Sequence, residues 1–436
     1  MEPVKVGLLG LGVVGEGTAR VLARNAQEIS RRAGNRIEVK SAAVRNLGKA
    51  EALGIEGVAL TTDAMSVVDD PEISVVVELM GGCDFARECV MRAIENGKHV
   101  VTANKALIAL HGNEIFQAAQ DKGCMVAFEA AVAGGIPIIK AIREGLAANR
   151  IAWLAGIING TGNFILSEMR EKGRDFDDVL AEAQALGYAE ADPTFDVEGI
   201  DAAHKLTILA SIAFGIPLQF EAVYTEGISA ITSEDVSYAE ELGYRIKHLG
   251  VARKSKDGVE LRVHPTLIPE RRLLANVNGV MNAVLVNGDA AGPTLYYGQG
   301  AGAEATASAV VADIVDVVRT MTADPHNRVP HLAFQPESLS NLAPVSQDAF
   351  ESAYYLRMEA CDQPGVMADV SRVFGDLGIS IEAILQKEPA EDSSVVPIIL
   401  LTRRVNEGLM NEGIARLEAL SSVDKPVVRI RVESLG

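Results

Sequence analysis

Over the first 128 or so residues, short β-branched runs alternate with helical segments, the pattern of a parallel sheet covered by helices. Strands are predicted at residues 4–9, 37–44, 75–79, 99–102 and 125–128. From about Ala131 to Ala301 the pattern shifts to longer helices, at 176–186 and 199–214, mixed with strands at 151–158 and 261–267. That stretch is predicted to be a second, α+β domain. Residues 324–346 carry Pro, Asn and Ser without periodicity and are predicted to be a linker. The tail predicts strand 354–359, helix 366–377, strands 379–385 and 395–401, helix 407–420 and strand 427–432. This βαββαβ order suits a ferredoxin-like sandwich that stands as its own unit. The expected division is residues 1–130, completed by about 301–322, then 131–300, a linker at 323–350 and the tail at 351–436.

A chain of 436 residues exceeds one ordinary core, and two or three domains are expected at about 100–200 residues each. With 48% apolar and 23% charged residues, a disordered or collagen-like chain is excluded. Forty Lys and Arg against 59 Asp and Glu give a formal charge of −19, which repels phosphate backbones and anionic membranes. No nucleic-acid or membrane partner is expected. Apolar runs such as 73–80 and 395–401 fall far short of the roughly 20 residues that span a bilayer. No export signal precedes the first strand. Cys83, Cys89, Cys124 and Cys361 lack CxxC spacing, so reduced thiols and a cytoplasmic setting are expected, each thiol behaving as a small buried apolar group.

Gly10-Leu11-Gly12-Val13-Val14-Gly15 follows the first predicted strand and opens a helical segment. In that context GxGxxG is a dinucleotide fingerprint: glycines let backbone approach a pyrophosphate, and the helix N-terminus favours its charge. The first domain is therefore expected to be a Rossmann fold binding NAD or NADP. After the second strand the sequence offers Arg45, with Lys49 nearby, where an NAD site would place an acid. Arg45 can fork onto a 2′-phosphate or simply stay solvated.

Lys105 directly follows a predicted strand end, where open α/β sheets bind ligands. Asp201 and Lys205 stand four apart on a helix that is otherwise apolar around the lysine. They share one face, and that apolar setting points to a cleft rather than a solvated ion pair. His99 and His204 are read as packing or surface groups and Trp153 as core.

Six segments together resemble the homoserine dehydrogenase family: GLGVVG at 10–15, VTANKAL at 101–107, EAAVAGGIPII at 129–139, NGTGNFIL at 159–166, GYAEADPTFDVEGIDAAHKL at 187–206 and GQGAGAEATASAVVAD at 298–313. Asp362-Gln363-Pro364-Gly365-Val366 in the tail is similar to the ACT domain of single-function members. No aspartokinase-like segment precedes the first strand, so the bifunctional fusion is not expected. The resemblance implies reversible NAD(P)H-dependent reduction of L-aspartate 4-semialdehyde to L-homoserine. It implies Lys205 as proton donor and acceptor, oriented by Asp201, with Lys105 beside cofactor and substrate. Glu190 and Asp196 would hold the substrate ammonium, and Gly187 and Gly302 would lie near the nicotinamide. Main-chain oxygens of Glu129, Val132, Gly134 and Ile136 would hold a monovalent cation, usually sodium, though the family more often has Gly where Ala133 stands. It further implies a homo-oligomer, dimer or tetramer, and threonine as an effector at the tail.

Overall fold

Strands with a fully buried centre and half-exposed members toward one edge form the first sheet. Its members are β1 (Val4–Leu9), β2 (Ile37–Ala43), β3 (Ala59–Thr61), β4 (Val75–Glu78), β5 (His99–Thr102) and β6 (Val126–Ala127). All run parallel, in the order β3-β2-β1-β4-β5-β6. The edge strand β3 has no counterpart in the predicted elements, because three half-exposed residues carry too little periodicity. The computed structural model describes residues 2–387, 395–424 and 426–435. It divides into one unit of residues up to 160, 201–223 and 280–342, and a second of 161–200, 224–279 and 343 onward.

In the first unit the chain reverses its winding between β1 and β4, which opens a crevice at the carboxyl ends of those strands. Helix α1 (Val13–Arg24) starts at that crevice, and α2 (Lys105–Asp121) leaves the end of β5. Helix α3 (Gly160–Lys172) contributes only its first residue here, and α4 (Ile200–Phe214) all but its first. From far along the chain α5 (Ala303–Thr320) returns to the sheet, burying Val310, Ile314 and Val317 in the core that contains Val6 and Leu8. The strand Ile151–Ile157 pairs antiparallel with Met281–Gly288, which pairs with Gly292–Gln299.

Two histidines close the sheet at β6. The Met125 N–H donates to His99 Nδ1 (2.9 Å) and the Val126 N–H to His331 Nε2 (3.1 Å), while His331 stacks on Phe116 at 4.8 Å between centroids. A ring nitrogen that accepts must be unprotonated. Burial, reinforced by nearby guanidinium groups, pushes both imidazoles down to about 4. The expected linker is thus tied down: His331 covers an edge strand, Phe334 lies over Gly215, and the Ser340 N–H donates to the Gly215 carbonyl at 2.6 Å. It lacks periodicity because single side chains anchor it.

In the second unit β7 (Val259–Pro269) pairs antiparallel with Tyr244–Lys254 on one edge and parallel with β9 (Val428–Val432) on the other. Strand β9 continues to β8 (Glu351–Cys361), then to Val395–Thr402 and Ile381–Gln386. With helices Val366–Asp376 and Glu407–Glu418 this is the predicted βαββαβ order. The tail is nevertheless welded to β7 and its neighbours. Arg431, fully buried, donates to Glu407 Oε2 (2.9 Å) and Glu226 Oε2 (2.7 Å) and sits over the Tyr224 ring. Arg357 grips Asp235 (2.6 and 3.1 Å), and Glu433 accepts from Arg262 (2.7 Å). Each clasp joins a tail residue to one from 224–269, and breaking a buried pair costs about 3–5 kcal/mol. Without residues 224–269, Arg357 and Glu433 would lose these partners, while Arg431 would keep Glu407 alone.

Among the described residues no helix is long and apolar enough to cross a membrane, and the four cysteines are unpaired. A chain ended after Pro344 should unfold at least 10 °C lower than the full chain, or fail to accumulate folded; an unchanged melting temperature would show that the clasps contribute little. In a pH titration followed by NMR, the His99 and His331 rings should remain neutral at pH 5.5 and protonate only near pH 4, and a half-point near 6.5 for either would contradict the edge contact.

Candidate functional site

The glycine fingerprint occupies the turn between β1 and α1. Gly10 has φ +102°, a left-handed conformation that a side chain resists. A Cβ on Gly15 would collide with the Gly10 carbonyl, so close helix-to-strand contact requires glycine there. Gly10 lines a cavity of about 690 Å³ together with Leu11, Gly12, Val13, Arg45 and Lys49. Val13 is 68% exposed and Phe85 51% exposed on its walls, an unusual cost unless a flat apolar ligand covers them. Arg45 is exposed at the rim and forms no ion pair among the described residues.

Near the carboxyl end of the sheet, side chains set the position of Lys105. Thr102 Oγ1 donates to the buried Glu78 carboxylate (2.7 Å) and accepts from the Asn104 N–H (3.0 Å). Asn104 in turn donates to the Gly82 carbonyl (2.6 Å) and caps α2 by accepting from the Leu107 N–H (3.1 Å). Lys105 is the first residue of that helix, and its Nζ lies 3.1 Å from Asp201 Oδ1.

Asp201 is the hub. It is 4% exposed, and its other oxygen accepts from Lys205 Nζ (2.7 Å) and Asn159 Nδ2 (2.8 Å). Burial would raise this carboxyl, but the two ammonium groups and the donated hydrogen bonds outweigh it and hold the group at about 2. Lys205 also donates to the Ile158 carbonyl (2.7 Å). An ammonium has three N–H groups, so one remains for a ligand. His204 faces elsewhere: its ring stacks on Phe220 at 4.3 Å, and burial, aided by Lys105, pushes it down to about 4.

The remaining expected site residues divide between the units. Gly302 (φ +125°) caps α5 in the first. Gly187 ends the helix Phe176–Ala185 in the second unit, where Glu190 is exposed and Asp196 half-buried in the short helix Thr194–Val197. The loop 129–137 belongs to the first unit. Burial and the neighbouring Asp313 push Glu129 up to about 7, and its carboxylate caps the N–H groups of Ile139 (2.8 Å) and Lys140 (2.9 Å). Ala133 stands at φ +50°, a left-handed position that glycine adopts more readily than alanine. Among the described residues the Val132 and Gly134 carbonyls accept no hydrogen bond, while no group of three His, Cys, Asp or Glu side chains could hold a metal ion.

Three family models match in order: "Homoserine dehydrogenase, NAD binding domain" over residues 10–129, "Homoserine dehydrogenase" over 137–315 and "ACT domain" over 354–421. The homoserine dehydrogenase of Pseudomonas aeruginosa is 69% identical over 436 residues, all of both chains. The chain belongs to the homoserine dehydrogenase family. It is therefore an oxidoreductase acting on a CH–OH group with a nicotinamide cofactor. The crystal structure of a homoserine dehydrogenase from Thiobacillus denitrificans superposes with a TM-score of 0.96 at 68% identity, covering 100% of this chain and 99% of that one. A hyperthermophilic archaeal homoserine dehydrogenase in complex with NADPH superposes with 0.62 at 27% identity over 72% of this chain and 97% of its own.

Within this homoserine dehydrogenase fold, the structure brings Lys105, Asp201 and Lys205 into one cluster and adds Asn159, Asn104 and Glu78, which sequence reading left without roles. Asn159 opens the NGTGNFIL motif, so a signal was present. Glu78 and Asn104 act through contacts between strand ends that sequence spacing does not reveal. Asp201→Asn keeps the shape but leaves two ammonium groups without a counter-charge. Its kcat should fall at least 100-fold while cofactor Kd, measured by nucleotide fluorescence, changes less than threefold; a kcat within fivefold of the parent would remove Asp201 from the reaction.

Proposed function

We propose that this enzyme interconverts L-aspartate 4-semialdehyde and L-homoserine with NADP(H), in the cytoplasm, on the route to threonine, methionine and isoleucine. The observation that carries the reading is the ammonium of Lys205, held by a buried carboxylate and a carbonyl with one N–H unspent. A nicotinamide cofactor held at the Gly10–Gly15 turn would supply the hydride for the aldehyde carbon in one direction and take it back in the other. As the carbonyl oxygen gains negative charge, Lys205 stabilises it and gives it a proton. In the reverse direction neutral Lys205 takes the hydroxyl proton from homoserine. Asp201 keeps the Lys205 amine aimed, and Lys105, on the same carboxylate, adds a second positive charge at the reacting oxygen. Glu190 and Asp196 provide carboxylates for the substrate ammonium. Gly187 and Gly302 let backbone approach the nicotinamide end.

Arg45, solvent-exposed at the cleft rim and without an acidic partner among the described residues, favours NADP over NAD through a fork onto the 2′-phosphate. The archaeal relative solved with NADPH supports the same preference. The carbonyls of Glu129, Val132, Gly134 and Ile136 offer hard oxygen donors to sodium. The ACT segment, with Gly365 opening the helix Val366–Asp376, gives threonine a docking place, and the enzyme works as a dimer or tetramer.

The test is a spectrophotometric assay of NADPH oxidation with aspartate semialdehyde and of NADP reduction with homoserine. It is repeated with NAD, with sodium replaced by choline, and with threonine added. Lys205→Ala should lose at least 99% of kcat while binding NADPH normally, and Arg45→Ala should raise the KM for NADP tenfold without affecting NAD. Turnover retained in the Lys205 variant, or none with either substrate in the parent, overturns the assignment.

A further inference from the structure

The least expected group in the second unit is Lys247, on the strand Tyr244–Lys254. It is 1% exposed and has no carboxylate within ion-pair distance among the described residues. Burial, then the nearby Arg170, pushes its ammonium down to about 7. An arrangement this costly needs a use. Lys247 Nζ donates to the Val277 carbonyl (2.6 Å), Asn163 Oδ1 (3.2 Å) and Asn278 Oδ1 (3.3 Å). Asn163 Nδ2 donates to the carbonyls of Val277 (3.1 Å) and Gly279 (2.9 Å), and the Gly279 N–H donates to Ser167 Oγ (3.1 Å). The turn 277–279 and the first two turns of α3 are thereby clamped together.

Both clamped segments lead directly into the site. Asn163 is four residues after Asn159, whose amide holds Asp201. Gly279 precedes Val280, whose carbonyl packs so tightly on Gly160 that a Cβ there would lie 2.8 Å from it. We propose that Lys247 and Asn163 are positioning residues for the reaction, fixing the chain on both sides of the Gly160–Val280 contact so that Asn159 keeps the Asp201 carboxylate aimed at Lys205. This rests on the reading of Asp201 and Lys205 as the reacting pair. The buried Lys98 serves differently: it donates to the carbonyls of Asp70 (2.5 Å) and Ile73 (2.7 Å), at the amino-terminal ends of β4 and β5.

The experiment compares the full-length parent with Lys247→Met, Asn163→Ser, the double variant Lys247→Met/Asn163→Leu and Lys205→Ala in one assay. Lys247→Met should lose at least tenfold in kcat, with KM for homoserine and Kd for NADPH each within threefold of the parent. Asn163→Ser, which keeps the ammonium, should lose an intermediate amount and decides the matter if Lys247→Met does not fold. The double variant removes the buried polar pair and should regain melting temperature while kcat stays low; kcat returning with stability would make the role purely structural and overturn the proposal. Parent-like kcat in folded Lys247→Met or Asn163→Ser, alongside an inactive Lys205→Ala, overturns the positioning role alone. Parent-like kcat in Lys205→Ala overturns the underlying reading instead.

Discussion

A carboxylate withdrawn from water can exist as an anion only if positive charge and hydrogen-bond donors replace its hydration. At Asp201 that requirement is met by Lys105, Lys205 and the Asn159 amide, and the same contacts draw three separate stretches of sequence to one point. Strand β5 delivers Lys105, the strand Ile151–Ile157 ends next to Asn159, and α4 presents Asp201 and Lys205 one turn apart. Two lysines alone would repel each other; with the carboxylate between them they can share a small volume. An ammonium held on two sides, as Lys205 is, has one N–H direction left.

Within the first unit other contacts fix the elements that carry these residues. Glu78, Thr102 and Asn104 lock the ends of β4 and β5, so the first turn of α2 starts at a fixed angle. Histidine side chains accept the N–H groups at β6, sparing an edge that would otherwise invite pairing. In the second unit, parallel pairing of β7 with β9 and the buried Arg431, Arg357 and Arg262 clasps make the tail continuous with the segment 224–269.

Much of this was legible in advance where periodicity is strong. The strands of the first sheet other than β3 and the six elements of the tail fall within a few residues of their predicted bounds. Asp201 and Lys205, four apart, were readable as one helix face because helical geometry fixes that spacing. Lys105 was readable as a residue at a strand end, but its distance to Asp201 was not, since the two are 96 positions apart in sequence. The 323–350 stretch looked like a passive linker because its anchors, His331, Phe334 and Ser340, are isolated side chains without a repeat.

By itself the sequence determined the order of strands and helices, the glycine turn at Gly10–Gly15 and the residue types available for hydride chemistry, because these depend on local sterics and on patterns a few residues long. Only the tertiary structure decided which charges neutralise one another. Coulomb and desolvation energies depend on distances through space, so pairings such as Arg431 with Glu226, or Lys105 with Asp201, exist only once the chain has closed around them.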